Sequence, residues 1–292
     1  MVAKAGAHGT GTVADRPRPR RIKRPRRWPW LRALGRGLRR AAVWVLAAPL
    51  AVRIAVVLIT LVVVWSAANW TYQVIRKPSE LFFPVSGRLT KAPAETWRSY
   101  APLFRRHATA TIPPELLAAL AQVEAAGDPV ARTYWRWRVA WHPFEVYRPA
   151  SSAVGMYQIT DPTFREAKRF CVRDHVVAED ACWFRSLYTR VLPSHAVEMT
   201  AALLDRQVAR TLDRRRITGA TPRQKQDLAA FIHLCGEGAG DGYARRGFRP
   251  APEQRCGDHD PVAYLAQVNA MKRQFLRLAA AQPVEPVLAP AR

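Results

Sequence analysis

The residue in this sequence best placed to do chemistry is Glu124. It closes the segment Ile112-Pro-Pro-Glu-Leu-Leu-Ala-Ala-Leu-Ala-Gln-Val-Glu-Ala-Ala-Gly-Asp-Pro129. The spacing predicts one helix. Pro113 and Pro114 fall where the first turn tolerates a missing N–H, and Glu115 complements the positive end of the helix dipole. Gly127 is placed to end the helix, and Pro129 prevents its resumption. Leu116, Leu120 and Glu124 are spaced i, i+4, i+8, so the carboxylate lies near the apolar stripe. Partial burial and the negative end of the dipole both favour the neutral acid there. A carboxylic acid held protonated near neutral pH is what cleavage of a glycosidic bond requires. The plain alternative is a last-turn glutamate that faces water. Glu145 is a possible second carboxylate.

The four cysteines are Cys171, Cys182, Cys235 and Cys256. Their number is even, and the sequence-local pairing is Cys171–Cys182 with Cys235–Cys256. A metal site from His233, Cys235, Cys256 and His259 is the rival. Its His-x-Cys and Cys-x-x-His spacings match no familiar zinc module, so neither a metal nor a cofactor is expected.

The elements that must carry these groups begin with an unusual N-terminus. The formal charge of the 292 residues is +24, and 13 lysines and arginines precede residue 41 against the single acid Asp15. Such an arm suits nucleic acid, or it holds a membrane segment in one orientation against anionic lipid. Residues 1–40 have no hydrophobic period and read as a disordered cytoplasmic arm. Residues 41–70 read as a transmembrane anchor. Its core, Ile54 to Trp70, carries no charge and covers about 25 Å at ~1.5 Å per residue, against a ~30 Å hydrocarbon layer. Arg53 snorkels toward the basic side, and Trp65 and Trp70 suit the far interface. Ser66-Ala67-Ala68 also resembles a cleavage site, so a removed signal peptide is the rival reading. The anchor makes nucleic acid an unexpected partner and exports everything after about residue 71.

Residues 71–110 look like a stem punctuated by prolines, with a short helix near 95–104. The aromatic segment 132–147 (Trp135, Trp137, Trp141, Phe144 and Tyr147 among arginines) suggests a short hairpin or ordered loop. It would serve either as a wall for sugar rings and anionic groups or as a small satellite core. A helix should follow Thr160, with others at about 195–212, 222–234 and 261–280, and residues 281–292 form a tail. Little after residue 150 demands a strand, so the exported part is mainly α.

Four stretches in order resemble the SLT domain of lytic transglycosylases, a lysozyme-like helical fold, over roughly residues 111–280. Ala121-Gln-Val-Glu124-Ala-Ala-Gly-Asp-Pro129 matches the helix that ends in a catalytic glutamate within Glu-Ser-x-x-x-x-Pro, with Ala125 in place of the serine. Gly155-Met156-Tyr157-Gln158 is similar to Gly-Leu-Met-Gln. Ala230-Phe231-Ile232-His233, followed by glycines, loosely matches Ala-Tyr-Asn, in a register ambiguous by one residue and with His233 at the asparagine. Ala263-Tyr264-Leu265 supplies the tyrosine of Asn-Tyr-Val. The gap between Glu124 and Gly155 is longer than usual for the family because of the Trp-rich segment.

The resemblance implies a single-acid lytic transglycosylase that cleaves the β-1,4 bond between N-acetylmuramic acid and N-acetylglucosamine in peptidoglycan and leaves 1,6-anhydro ends. Glu124 would be catalytic. Gly155, Met156, Tyr157, Gln158, Phe231, His233 and Tyr264 would bind substrate. The implied partner is peptidoglycan glycan strands. The implied place is a bacterial cytoplasmic membrane, crossed once, with the N-terminus inside and the catalytic domain periplasmic or extracytoplasmic. A non-catalytic peptidoglycan-binding or scaffolding protein of the same fold is the alternative.

Overall fold

In the computed structural model the described residues are 29–82, 84–179 and 182–281, with backbone alone described at 29–35, 38 and 41. They are mostly helical, with one long apolar helix near the N-terminus ahead of a helical domain. The chain divides into two compact units, Met1–Trp65 and Ser66–Arg292.

The first unit holds helix α1 (Pro29–Ala47) and the start of α2 (Leu50–Arg76). The expected disordered arm therefore gives way to helix at Pro29, a good N1 residue, and residues 1–28 lie outside the described residues. Pro49 separates the two helices, and α2 continues past Trp70 to Arg76. It is long and apolar enough to cross a membrane.

In the second unit, α3 (Pro93–His107), α4 (Pro114–Ala125), α6 (Pro193–Arg214), α7 (Pro222–Cys235) and α9 (Pro261–Ala281) pack around one core. Each of the five starts on a proline, whose fixed φ suits the first turn. The start of α7 adds a reciprocal cap, with Thr221 accepting from the Gln224 N–H and Gln224 accepting from the Thr221 N–H. Helix α4 is the centre, and Leu116 through Ala121 are buried on every side. A helix buried all round must be apolar all round, as this one is from Leu116 to Ala121. Two short helices, α5 (Asp161–Ala167) and α8 (Glu237–Arg245), complete the set.

Three features differ from the sequence reading. The stem at 71–110 is part of the domain. Trp97 and Phe104 of α3 are buried, and the Trp97 ring lies 5.7 Å from that of Phe275 in α9. Helix α8 was not expected, because its sequence Glu-Gly-Ala-Gly-Asp-Gly is poor in helix formers. Gly240 explains one of these glycines, since a Cβ there would meet the Ile232 side chain. Strands β3 (Cys171–Arg173) and β4 (Val176–Ala178) form an antiparallel hairpin too short to leave an alternation signal. The expected aromatic hairpin is present as β1 (Trp135–Trp137) and β2 (Tyr147–Pro149), with Trp137 opposite Tyr147. Helices α6, α7 and α9 fall where periodicity placed them. Ala281 ends α9, and the rest of the expected tail, 282–292, lies outside the described residues.

Candidate active site

Glu124 occupies the last turn of α4. Ala126 and Gly127 then take left-handed conformations, and their N–H groups return to the carbonyls of Gln122 and Ala121. Gly127 is required twice over. Its φ is +68°, and a Cβ would come within 2.5 Å of the Thr96 hydroxyl. Thr96 is buried and donates to the Gln122 side chain at 2.7 Å, so α3 fixes the turn that carries Glu124.

Two side chains converge on this carboxylate. The Tyr264 hydroxyl donates to Glu124 Oε1 at 2.5 Å. His233 Nε2 lies 3.6 Å from the same oxygen, longer than a hydrogen bond. The side chains of Glu124 and His233 keep 18% and 12% of their exposure, so the pair is sheltered yet reachable. Tyr264 stands in the first turn of α9, capped by Asp260, whose carboxylate accepts from the Val262 and Ala263 N–H groups. Burial, then the neighbouring Glu124 charge, push the Tyr264 phenol well above 10, so it stays a proton donor across the working pH range.

His233 sits in the last turn of α7, two residues before Cys235. Cys235 is bonded to Cys256, and Cys171 to Cys182, which are the two pairs the spacing suggests. The Cys235–Cys256 bond ties the end of α7 to the loop that leads into α9. It therefore braces both partners of Glu124.

His233 also lines a cavity of ≈ 250 Å³ walled by α5, α6 and α7. Its polar lining is Thr160, Thr163, Thr200, Gln207 and His233. The Thr200 hydroxyl is buried and has no hydrogen-bond partner within the described protein, so a ligand hydroxyl could satisfy it. No motif in the sequence marks these threonines, because they are spaced as ordinary positions on α5 and α6.

The Gly155–Gln158 stretch is a tight turn. Val154 and Ile159 exchange N–H to carbonyl bonds at 3.2 and 3.0 Å across it. Gly155 has φ +81°, and a Cβ would collide with the Arg190 carbonyl oxygen. Gln158 is half-buried in a left-handed conformation, and its amide donates to the Gly155 carbonyl at 2.9 Å. Met156 and Tyr157 are fully buried in the core, so the backbone of the turn is the part of them that a ligand could meet. Phe231 is also buried, with its ring stacked 4.3 Å from Tyr243. Alternation within a turn, or one step of helix register, decides which way such apolar residues face. Glu145, the possible second carboxylate, is held by Arg76 at 3.1 Å and Arg148 at 3.9 Å on the aromatic hairpin.

Residues 102–221 match the transglycosylase SLT domain family. The match contains Glu124 and the Gly155–Gln158 turn, while His233 and Tyr264 lie C-terminal to it. No curated protein matches the chain. The match supports a peptidoglycan-acting function of the lytic transglycosylase type.

Proposed function

We propose that this protein is a membrane-anchored lytic transglycosylase that cleaves the bond between N-acetylmuramic acid and N-acetylglucosamine with Glu124 as its one acid and base. The observation that carries the reading is the convergence of Tyr264 and His233 on Glu124 Oε1 beside a sugar-sized cavity. With Oε1 occupied, Oε2 is left for the substrate. Glu124 donates its proton to the glycosidic oxygen as the C1–O bond breaks, and the muramic acetamido oxygen supports C1. The resulting carboxylate takes the proton of the muramic 6-hydroxyl, whose oxygen then bonds to C1 and closes the anhydro ring. Water is not consumed, and the same carboxyl group serves both halves.

Tyr264 orients the carboxyl group throughout. The polar groups of the cavity (the Thr200 hydroxyl above all) bind sugar hydroxyls. Helix α2 is the anchor, with the basic N-terminus inside and the SLT domain on the wall side. Replacing Glu124 by Gln keeps the size and removes the proton. Purified Glu124→Gln protein is expected to keep its helical circular dichroism and release no soluble fragments from sacculi. Fragment release at the parent rate would remove Glu124 from the role. The non-catalytic alternative draws on the His233 contact, which differs from the family's asparagine. It predicts that the parent protein sediments with sacculi and releases nothing.

A further inference from the structure

The aromatic hairpin of β1 and β2 does not line the cavity beside His233, whose walls are α5, α6 and α7. Its base is fastened elsewhere. Asn69, Tyr72, Gln73 and Arg76 are spaced i, i+3, i+4, i+7 on the end of α2 and form one stripe. The Asn69 amide donates to the Tyr147 carbonyl at 2.8 Å, and the Gln73 amide to the Phe144 carbonyl at 2.5 Å. The Tyr72 ring packs on His142 and Phe144 at 5.6 and 5.3 Å, and Arg76 pairs with Glu145. A second clamp lies just beyond. Glu80 is fully buried and binds Lys77, Arg132 and the Trp135 indole N–H. Each charge is paired, so the clamp holds the hairpin in one position.

The tip is the opposite of the base. Val139 and Trp141 are fully exposed, and Trp137 is 68% exposed. Arg136 and Arg138 flank Trp137 and are exposed, and residues 133–144 contain no acid. Amphipathic aromatics beside arginines are the composition of a membrane–water interface.

We infer that this hairpin is a membrane foot, with Val139 and Trp141 seated in the acidic phospholipid headgroup layer of the bilayer that α2 crosses and Arg136 and Arg138 on its phosphates. The inference rests on the reading of α2 as a membrane span. Helix arithmetic supports the height. The apolar run from Ile54 to Trp70 is about 25 Å long, so a ~30 Å hydrocarbon layer ends near Gln73, where the hairpin takes hold. The foot would fix the height of the helical domain above the bilayer, which a single spanning helix would not.

The test uses the full chain reconstituted in vesicles of phosphatidylethanolamine and phosphatidylglycerol. All four cysteines are paired, so Val139→Cys and, as a control, exposed Val176→Cys each offer one site for an environment-sensitive fluorophore. The probe at 139 is expected to be blue-shifted and quenched severalfold more by quencher-bearing lipid than the probe at 176. Adding Arg136→Ser, Arg138→Ser and Trp141→Ser should return the probe at 139 to its water-like emission. Flotation of the vesicles after alkaline carbonate washing reports separately on α2. Protein that floats with a water-like probe at 139 overturns the foot alone. Protein that does not float overturns the span. A water-like probe that shifts only on adding soluble muropeptides overturns the foot in favour of a glycan-binding wall.

Discussion

Tyr264 and His233 approach the same oxygen of Glu124, and they do different work there. The phenol is a directional donor, and the imidazole stands at 3.6 Å, beyond hydrogen-bond distance. The hydrogen bond to a carboxylate is of the kind worth about 1.5–3 kcal/mol. Tyr264→Phe keeps the ring in its buried seat and deletes that bond. It is expected to lower kcat by roughly tenfold to a hundredfold with little change in KM and little change in melting temperature. Steady-state kinetics on soluble glycan oligomers, beside a thermal melt, read both. An equal loss in KM would make Tyr264 a substrate-binding group instead. At this scale the sequence was partly legible. Glu124 and Tyr264 could be named because a helix end and a late tyrosine follow the family's spacing. Met156, Tyr157 and Phe231 could not be told from cleft residues, because only the folded turn and the α7 register turn them inward.

At the scale of elements, the site is a meeting of three helix ends, the last turns of α4 and α7 and the first turn of α9. Proline starts and apolar periods made these helices readable. The segments missed were those whose local signal is weak. Helix α8 is rich in glycine, and β3 and β4 are three residues each. The burial of Glu80 was invisible for another reason. It depends on Arg132 and Trp135, which are distant in sequence. The Cys235–Cys256 bond, with a separation of 21 residues, braces two of the three helix ends. Cys235→Ser with Cys256→Ser is expected to cost about 2–4 kcal/mol of stability. It should also reduce turnover well below the new melting temperature, since His233 and Tyr264 both lose their tether. Chemical denaturation and activity at matched temperature separate these effects. Unchanged activity in the folded double variant would confine the bond to stability.

At the scale of the whole molecule, the core carries titratable groups that set its acid limit. His107 is buried, its Nδ1 has no partner among the described residues, and burial lowers its pKa below 6.5 against the opposing pull of Glu198. His195 is lowered by burial in the same direction. Below pH 6.5 the unfolded chain therefore binds protons that the native state refuses. Stability is expected to be full above that pH and to fall as the pH drops through it. Thermal melts between pH 7.5 and pH 5, taken at about these values, should show the decline. It should be shallower in His107→Gln, and a flat profile in the parent protein would contradict the assignment. The central claim is that one carboxyl group, steadied by a phenol, breaks a glycan bond without consuming water. Its most direct measurement is mass spectrometry of the fragments released from sacculi in ¹⁸O-labelled water. The account predicts unlabelled 1,6-anhydro ends from the parent protein and none from Glu124→Gln. Reducing ends carrying ¹⁸O would contradict it.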